Sequence, residues 1–345
     1  MAAGFTENNT FHEVMGQSGK EMHLFFSDGF CSFIPEEYKD IPLCRWKDSF
    51  RMPWGLPFPM DDFLNAANMV EDADRLWDLV PLWADGEHFS VDGNDRNSVC
   101  LMVPKYPEND SIRPAVIICP GGAYEELAFM GEGIKTAKRL EDAGYRTFIL
   151  SYRYSPNRYP APQMDLALAI QHVRANAQHY LIDPNDLMIL GYSAGGHLCA
   201  STTALRDEIA KDLADEMEEV RPDLAESYRD ISIRPDQVCL CYPVISFLSE
   251  CHERSFENLS GGKEELREHL SIEKQVDPDF PRTFIWACED DSMVPPSNAV
   301  RMGKALEEKK VPFMLKMYPQ GEHGCSLGTG TSAEGWVDEM LKFMR

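Results

Sequence analysis

The chain has 345 residues, with 33 Lys and Arg against 57 Asp and Glu, which gives a formal net charge of −24. Because phosphate binding requires a basic surface, this charge argues against nucleic acids and anionic membranes as partners. A hydrophobic fraction of 43% and a charged fraction of 26% are typical of a globular protein and exclude extended disorder.

The first 80 residues are rich in aromatic side chains and have little periodicity, as in DSFRMPWGLPFPMDDFLNAANM (48–69). Because such side chains seek burial, residues 1–80 are predicted to form an extension that packs on the following domain or on a partner subunit, as in a homo-oligomer. The N-terminus lacks a basic segment followed by an apolar one, so no secretory signal is predicted. Ten scattered cysteines without a C-x-x-C pair then indicate reduced thiols and a cytoplasmic protein.

From about residue 112 onward, short apolar runs alternate with longer amphipathic segments. The runs that resemble strands are 115–120, 145–154, 186–192, 236–244, 282–288 and 312–319. The segments that resemble helices are GEGIKTAKRLEDAG, MDLALAIQHVRANAQHY, AGGHLCASTTALRDEIA, PSNAVRMGKALEEKK and SAEGWVDEMLKFM. Nearly continuous hydrophobic strands separated by helices predict a doubly wound α/β domain over residues 81–345, with a mostly parallel sheet between two helical layers.

One strongly acidic segment, residues 206–235, interrupts this alternation. Its composition predicts an inserted helical region whose charges face solvent.

The most specific chemical motif is Gly191-Tyr192-Ser193-Ala194-Gly195, between a predicted strand and a predicted helix. A sharp turn of this kind lifts a serine hydroxyl above the carboxyl edge of a sheet, and its crowded backbone requires small residues. Ser193 is therefore the candidate nucleophile. The alternative is a glycine-rich turn without catalytic function.

A serine hydroxyl needs a base, and nine histidines are present. His323 lies in the glycine-rich segment QGEHG, after the last predicted strand and before the terminal helix. His197 follows Ser193 within one helix and is interpreted as structural. The loop position and the chain order favour His323 as the base.

The base in turn needs a carboxylate that fixes its tautomer. Between Ser193 and His323, three consecutive acids, Glu289, Asp290 and Asp291, follow a buried strand. Their spacing alone does not distinguish among them, with Asp291 and Asp290 the leading candidates.

Backbone amides after the first predicted parallel strand can stabilise an oxyanion. The run Cys119-Pro120-Gly121-Gly122-Ala123-Tyr124 lies at that place. The N–H groups of Gly122 and Ala123, together with that of Ala194, are the predicted oxyanion hole.

Several segments together resemble one family. They are GYSAGGHL, PGGAY with GEGIKTAKRLEDAGY, SYRYSPNRYPAPQMDLALAIQHVR, SFENLSGGKEELREHLSIEKQV, PRTFIWACEDDSMVPPSNA and YPQGEHGCSLG. Over about residues 80–345 the chain resembles α/β-hydrolase esterases of the acetyl-xylan-esterase and feruloyl-esterase-like (BD-FAE) type. In that family the acid stands three residues before a Val-Pro pair, which implies Asp291. The family's third oxyanion-loop glycine is Ala123 here.

The resemblance implies an esterase that removes short acyl groups, chiefly acetate, from a carbohydrate or a small alcohol. Tyr124 and Glu125, with Trp46 and Trp54, are predicted substrate contacts, because aromatic faces stack on sugar rings. The alternatives are an arylformamidase or peptidase on the same fold, or a catalytically idle domain that binds ligands or partners. The sequence has no H-E-x-x-H, Walker A or clustered Cys/His motif, so neither metal nor cofactor is predicted.

Overall fold

The computed structural model describes residues 4–18, 21–26, 28–46, 49–52, 58–71, 76–85, 87–91, 93–107 and 110–345. The described strands are β1 (Trp77–Pro81), β2 (Cys100–Pro104), β3 (Arg113–Cys119), β4 (Arg146–Ser151), β5 (Ile182–Tyr192), β6 (Gln237–Cys241), β7 (Arg282–Cys288) and β8 (Phe313–Tyr318). The helices before β3 are α1 (Phe11–Gln17), α2 (Met22–Phe25), α3 (Asp28–Ser32), α4 (Glu36–Lys39) and α5 (Met60–Glu71). Those after β3 are α6 (Lys135–Asp142), α7 (Ala161–Ala175), α8 (Ala177–Tyr180), α9 (Ser193–Ala204), α10 (Arg206–Val220), α11 (Pro222–Tyr228), α12 (Glu253–Ser260), α13 (Ser297–Lys309) and α14 (Trp336–Met344). A turn of π-helix (Phe129–Ile134) leads into α6, and 3₁₀ turns span Leu43–Arg45, Arg96–Ser98, Glu264–Leu266 and Ile272–Lys274.

The eight strands form one sheet in the order β1-β2-β4-β3-β5-β6-β7-β8. The pairs β1–β2 and β2–β4 are antiparallel, and every other pair is parallel. The connection from β3 to β4 moves toward one edge, whereas those from β4 to β5 and from β5 to β6 move toward the other. The direction of winding therefore reverses at β3 and β5, and the crevice at their carboxyl ends is where doubly wound sheets bind ligands.

Helices cover the sheet on both faces. The helix α6 lies in the connection from β3 to β4, which runs toward the β1 edge of the sheet. The helices α7, α9 and α13 lie in connections that run toward the β8 edge. Because such crossovers are right-handed, α6 covers one face of the sheet and the other three helices cover the opposite face. An ion pair between Arg139 and Asp338 places α14 on the same face as α6. Between these layers, Ala115 through Cys119 of β3 are fully buried.

The six strands predicted from the sequence are present, but β1 and β2 were not predicted. The domain boundary predicted between residues 80 and 81 falls inside β1, and the sheet begins slightly earlier, at Trp77. The predicted helix GEGIKTAKRLEDAG is also altered, since its first residues belong to the π-helical turn.

The N-terminal residues pack on the sheet domain. The Phe25 ring lies edge-on to Phe129, with ring centroids 5.9 Å apart, and edge-on to Trp77 at 5.8 Å. Asp62 of α5 also forms an ion pair with Lys135, at 2.8 Å. The helices α2 and α5 thus pack against the π-helical turn, and α5 also reaches the first residue of α6.

The acidic segment forms α10 and α11, but α10 is not fully solvated. Its residues Ile209, Leu213 and Met217, four apart along the helix, are buried. This spacing places them in one stripe, and α10 packs on α7. The expectation of a solvated helix, based on charge alone, is wrong for this face.

No helix in the described ranges is long and apolar enough to cross a membrane. Those ranges contain no group of three or more His, Cys, Asp or Glu side chains arranged to hold a metal ion. All ten cysteines fall within them, and no two of these are joined by a disulfide.

Candidate active site

The turn that carries Ser193 joins β5 to α9 and is sterically crowded. Ser193 has φ 51°, a left-handed conformation that is strained for a residue with a side chain. A Cβ on Gly191 would lie 2.1 Å from the carbonyl oxygen of Gly195, and one on Gly195 would lie 2.2 Å from that of Cys119. The two glycines thus allow the turn to close against its own helix and against β3.

The Ser193 hydroxyl, the His323 ring and the Asp291 carboxylate form a continuous hydrogen-bonded chain. His323 Nε2 is 2.8 Å from Ser193 Oγ, and His323 Nδ1 is 2.7 Å from Asp291 Oδ2. Because the carboxylate can only accept, Nδ1 carries the proton and Nε2 is left to accept from the serine. The structure therefore brings these three predicted residues together in the orientation that a base requires.

Asp291 is fixed by its own loop. Its side chain is fully buried, and its Oδ1 accepts the backbone N–H groups of Met293 at 3.0 Å and Val294 at 2.9 Å. With one oxygen held by these amides, Oδ2 is directed at His323. Burial together with these bonds makes the orientation of the carboxylate independent of solvent.

The oxyanion candidates lie in the loop after β3 and at the start of α9. Gly122, Ala123 and Tyr124 all have positive φ, at 127°, 57° and 55°. A Cβ on Gly122 would lie 2.0 Å from the carbonyl oxygen of Glu126, so only glycine fits at this position. Ala194 is at the start of α9, where backbone N–H groups have no acceptor within the helix.

The strained loop is anchored at three of its residues. Gly121 N–H donates to Glu132, the Ala123 carbonyl accepts from Asn258 Nδ2 at 3.0 Å, and the Tyr124 carbonyl accepts from Ser155 N–H at 2.8 Å. These contacts come from three different parts of the chain. They hold the loop in shape without a bound ligand, which is the preorganisation that an oxyanion site needs.

His197 has a structural role, as predicted. It is fully buried, its Nε2 lies 2.9 Å from the carbonyl oxygen of Leu270, and its Nδ1 lies 2.9 Å from the Tyr124 hydroxyl. The carbonyl fixes the proton on Nε2, so Nδ1 accepts from the tyrosine. Burial lowers the pKa of His197 to about 4, which keeps the ring neutral.

Two predicted substrate contacts are wrong. The Tyr124 side chain is fully buried and directed at His197, so its ring has no face for a ligand. Trp46 is 1% exposed and packs edge-on to Phe50 and Phe58, with centroids 5.3 Å and 4.9 Å away. Burial among these rings leaves no indole surface on which a sugar could stack.

The other two predicted contacts remain predictions. Glu125 is exposed and forms an ion pair with Arg254 of α12, which lowers the pKa of its carboxyl. Trp54 lies outside the described residues.

Sequence reasoning missed Glu132, Tyr242 and Asn258, all of which contact the loops of the site. Each is far in sequence from its partner, and Glu132 lies in a segment predicted only as a helix. A buried acid within an otherwise apolar turn was the available signal, since such a group requires donors.

Comparison with known proteins gives consistent results. A family model described as BD-FAE matches residues 101–306, which include Ser193 and Asp291 and end before His323. Endo-1,4-beta-xylanase B of Butyrivibrio fibrisolvens is 36% identical over 239 residues, which are 67% of this chain and 35% of that protein. Acetylxylan esterase of Xylanibacter ruminicola is 27% identical over 241 residues, which are 69% of this chain and 45% of that protein.

Among solved structures, an acetyl ester-xyloside bifunctional hydrolase from Caldicellulosiruptor lactoaceticus has a TM-score of 0.62 and 30% identity. The match covers 76% of this chain and 96% of that chain. In contrast, the chain spans about a third of the length of the xylanase and under half that of the acetylxylan esterase.

Proposed function

The chain belongs to the BD-FAE family, and we propose that it is a serine esterase that hydrolyses carboxylic esters through an acyl-enzyme. The observation that carries the proposal is the position of the His323 ring, 2.8 Å from Ser193 Oγ on one side and 2.7 Å from Asp291 Oδ2 on the other. A histidine held in this way can take a proton from the serine while its charged form is stabilised by the carboxylate.

In the first half of the reaction, Ser193 Oγ attacks the ester carbonyl carbon as His323 Nε2 takes the hydroxyl proton. The carbonyl oxygen becomes an oxyanion, which the N–H groups of Gly122, Ala123 and Ala194 stabilise. His323 then donates its proton to the leaving alcohol oxygen as the ester bond breaks. The products of this half are the free alcohol and an acyl group on Ser193.

In the second half, water replaces the alcohol. His323 removes a proton from the water as its oxygen attacks the acyl carbon, and the same amides stabilise the second oxyanion. The proton returns to Ser193 Oγ as the acid leaves. Asp291 holds the ring in one tautomer throughout.

The proposed substrates are short acyl esters, chiefly acetates, of a carbohydrate or a small alcohol. Support comes from the similarity to proteins named acetylxylan esterase and acetyl ester-xyloside bifunctional hydrolase. Glu125 of the oxyanion loop forms an ion pair with Arg254 of α12. These two residues are proposed to line the part of the site that binds the alcohol group of the ester. Trp54 is a further proposed contact, and unchanged turnover of Trp54→Ala on a series of esters would remove it.

The test is hydrolysis of p-nitrophenyl acetate and acetylated xylan by the wild type and by Ser193→Ala. We expect a loss in kcat on the order of 10⁴-fold or more, because the nucleophile and the base act as a unit. Ser227→Ala is the matched control, since in the described part of the chain this exposed hydroxyl bonds only to the Asp223 carbonyl of its own helix. A Ser193→Ala variant as active as Ser227→Ala would overturn the proposal.

The substrate class is tested by p-nitrophenyl acetate, butyrate and octanoate in parallel with an N-formyl aryl amide and a peptide amide. The proposal expects kcat/KM to fall as the acyl chain lengthens and to favour esters over both amides. Higher kcat/KM for the formyl amide would identify an arylformamidase. If a fluorophosphonate probe fails to label wild-type Ser193, the catalytically idle alternative is favoured instead.

A further inference from the structure

Glu132 is a buried acid behind the oxyanion loop that the proposed mechanism does not use. It lies in the π-helical turn, is 6% exposed, and accepts two hydrogen bonds. Its Oε2 accepts the Gly121 N–H at 2.6 Å, and its Oε1 accepts the Tyr242 hydroxyl at 2.8 Å. Within the described residues no Lys or Arg forms an ion pair with it, so a carboxylate has been placed in the core without a cationic partner.

Tyr242 extends these contacts to the loop that carries the base. Its ring lies edge-on to the His323 ring, with centroids 4.9 Å apart, and its hydroxyl oxygen accepts the Ser326 N–H at 3.2 Å. Glu132 is therefore linked through Gly121 to the oxyanion loop and through Tyr242 to the histidine loop.

The hydrogen-bond pattern favours the ionised form of Glu132. Because the Tyr242 oxygen accepts from Ser326, its own proton is directed to Glu132 Oε1, while Oε2 already accepts from Gly121. Both carboxyl oxygens therefore act as acceptors, which is the pattern of the ionised form. Burial raises the pKa of Glu132, and the bonds from Gly121 and Tyr242 oppose this shift.

Only one neighbouring group is suited to respond to that charge. Within the described residues, the titratable side chains that interact electrostatically with Glu132 are Tyr152, Tyr192, Tyr242, Cys241, Cys325 and His323. Burial raises the pKa of the three tyrosines and of Cys241 well above the usual values, and contact with Cys288 raises that of Cys325. These five groups stay neutral at working pH, and His323 is the one that gains a positive charge during the proposed reaction.

Glu132 also lies close to the nucleophile. A Cβ on Gly121 would be 2.9 Å from Glu132 Oε2 and 2.9 Å from the Ser193 Cβ. The carboxylate and the serine are thus separated by the width of one methyl group, and the glycine at 121 leaves that space open. A charge at this distance in a dry interior acts strongly on the reacting groups.

We propose that Glu132 is a positioning residue, which as a carboxylate fixes the oxyanion loop through Gly121 and the base loop through Tyr242, and whose charge stabilises the His323 imidazolium. This inference rests on the proposed serine esterase function. It assigns to the site a second carboxylate, which acts without contacting the substrate.

The test compares Glu132→Gln with Glu141→Gln, using kcat, KM and the pH profile on p-nitrophenyl acetate. Glu141 is the matched control, because burial also raises the pKa of its carboxyl, but it bonds to Thr147 at the amino end of β4, away from the site. For Glu132→Gln we expect kcat to fall about 10- to 100-fold with KM within about threefold of wild type, as for other residues that orient a catalytic group. The acid limb of the profile should move to lower pH, because the variant lacks the negative charge that stabilises the imidazolium in the proposed reaction.

Two further variants separate charge from position. Tyr242→Phe keeps the ring and the charge but loses the hydroxyl, so kcat should fall with the acid limb unmoved. Glu132→Asp keeps the charge and shortens the reach, and it should behave in the same way. If Glu132→Gln does not fold, as judged by circular dichroism, these two variants still test the role in positioning, and wild-type kcat in both would overturn it.

The outcomes also distinguish the inference from the function on which it rests. Full activity of Ser193→Ala would remove the serine mechanism whatever Glu132→Gln does. An inactive Ser193→Ala together with a Glu132→Gln that matches Glu141→Gln would overturn the inference alone. A folded Glu132→Gln with reduced kcat but an unmoved acid limb would reject the electrostatic part.

Discussion

Asp290 and Asp291 are neighbours in the chain, but their carboxylates fix different parts of the same histidine loop. Asp291 Oδ2 lies 2.7 Å from His323 Nδ1, whereas Asp290 Oδ1 accepts the backbone N–H groups of Gly321 at 3.0 Å and Glu322 at 2.9 Å. One acid therefore orients the ring, and the other holds the backbone that carries it. The two bonds to Asp290 lower the pKa of its carboxyl.

The first prediction separates these two roles. Asp291→Asn should lower kcat on the order of 10³- to 10⁴-fold, because an amide in place of the carboxylate favours the wrong tautomer of His323. Asp290→Asn keeps an Oδ1 that can still accept both backbone N–H groups, so the loss in kcat should be about tenfold or less. Steady-state hydrolysis of p-nitrophenyl acetate measures both. Equal losses in the two variants would contradict the assignment of Asp291 as the orienting acid.

The second prediction concerns the crowding between the nucleophile turn and β3. Gly195→Ala would put a methyl group 2.2 Å from the Cys119 carbonyl oxygen and 2.5 Å from that of Pro120. Since both neighbours are backbone atoms, we expect a loss of about 3 kcal/mol in the free energy of unfolding, together with loss of activity. The control is Gly16→Ala in α1, where a Cβ meets nothing within 4 Å. That change should stabilise by about 0.5–1 kcal/mol, and urea denaturation of both variants decides.

The third prediction tests the support of the oxyanion loop. Asn258→Ala removes the side chain that donates to the Ala123 carbonyl. The backbone of Ala123 is in a left-handed conformation. The loop should then sample other shapes, and kcat should fall about tenfold with little change in KM. Asn185→Ala, at an exposed asparagine whose side chain has no part in this loop, is the control. A rise in KM without a fall in kcat would indicate instead that Asn258 contacts substrate.

The fourth prediction is a pH dependence of stability. Burial lowers the pKa of both His197 and His172 to about 4 in the folded protein, whereas in the unfolded chain it is about 6.5. Between these values the unfolded state binds more protons, so the free energy of unfolding falls as the pH drops from about 6.5 to about 4, by up to roughly 3 kcal/mol per histidine. Urea denaturation at about pH 7.5 and pH 5 measures this change.

Replacement of the two histidines provides the control for this pH dependence of stability. His197→Gln and His172→Gln should each remove part of the difference in unfolding free energy between the two pH values, and the double variant should remove most of it. An undiminished difference in the double variant would assign the acid sensitivity to other groups.

The sequence was sufficient to predict the chemistry that is encoded locally. The α/β-hydrolase fold is confirmed by the parallel sheet and by the similar solved structure. The turn around Ser193 could be predicted because its glycines and its place between a strand and a helix are adjacent in the chain. His323 followed from the chain order and from its glycine-rich loop.

The features that were missed depend on contacts between distant residues. The bonds from Glu132 to Tyr242 and from Asn258 to Ala123 join residues more than 100 positions apart, and no local pattern reports them. Strands β1 and β2 are five residues each and lie outside the alternation of strands and helices. Trp46 shows the limit of composition, since an aromatic residue in the sequence can belong equally to a binding face or to a packed interior.

The packing of Phe25 on Phe129 bears on how this protein can be truncated or fused to another protein. A shortened version that starts at β1 would retain every proposed reacting group. It would, however, lose the side chains that pack against the π-helical turn carrying Glu132. Phe129, which is fully buried, would become exposed to solvent. The π-helical turn would then hold Glu132 less firmly behind Ser193. We therefore expect the N-terminal segment to support the proposed catalytic site, so a fusion protein that carries only the hydrolase domain should lose turnover before it loses solubility.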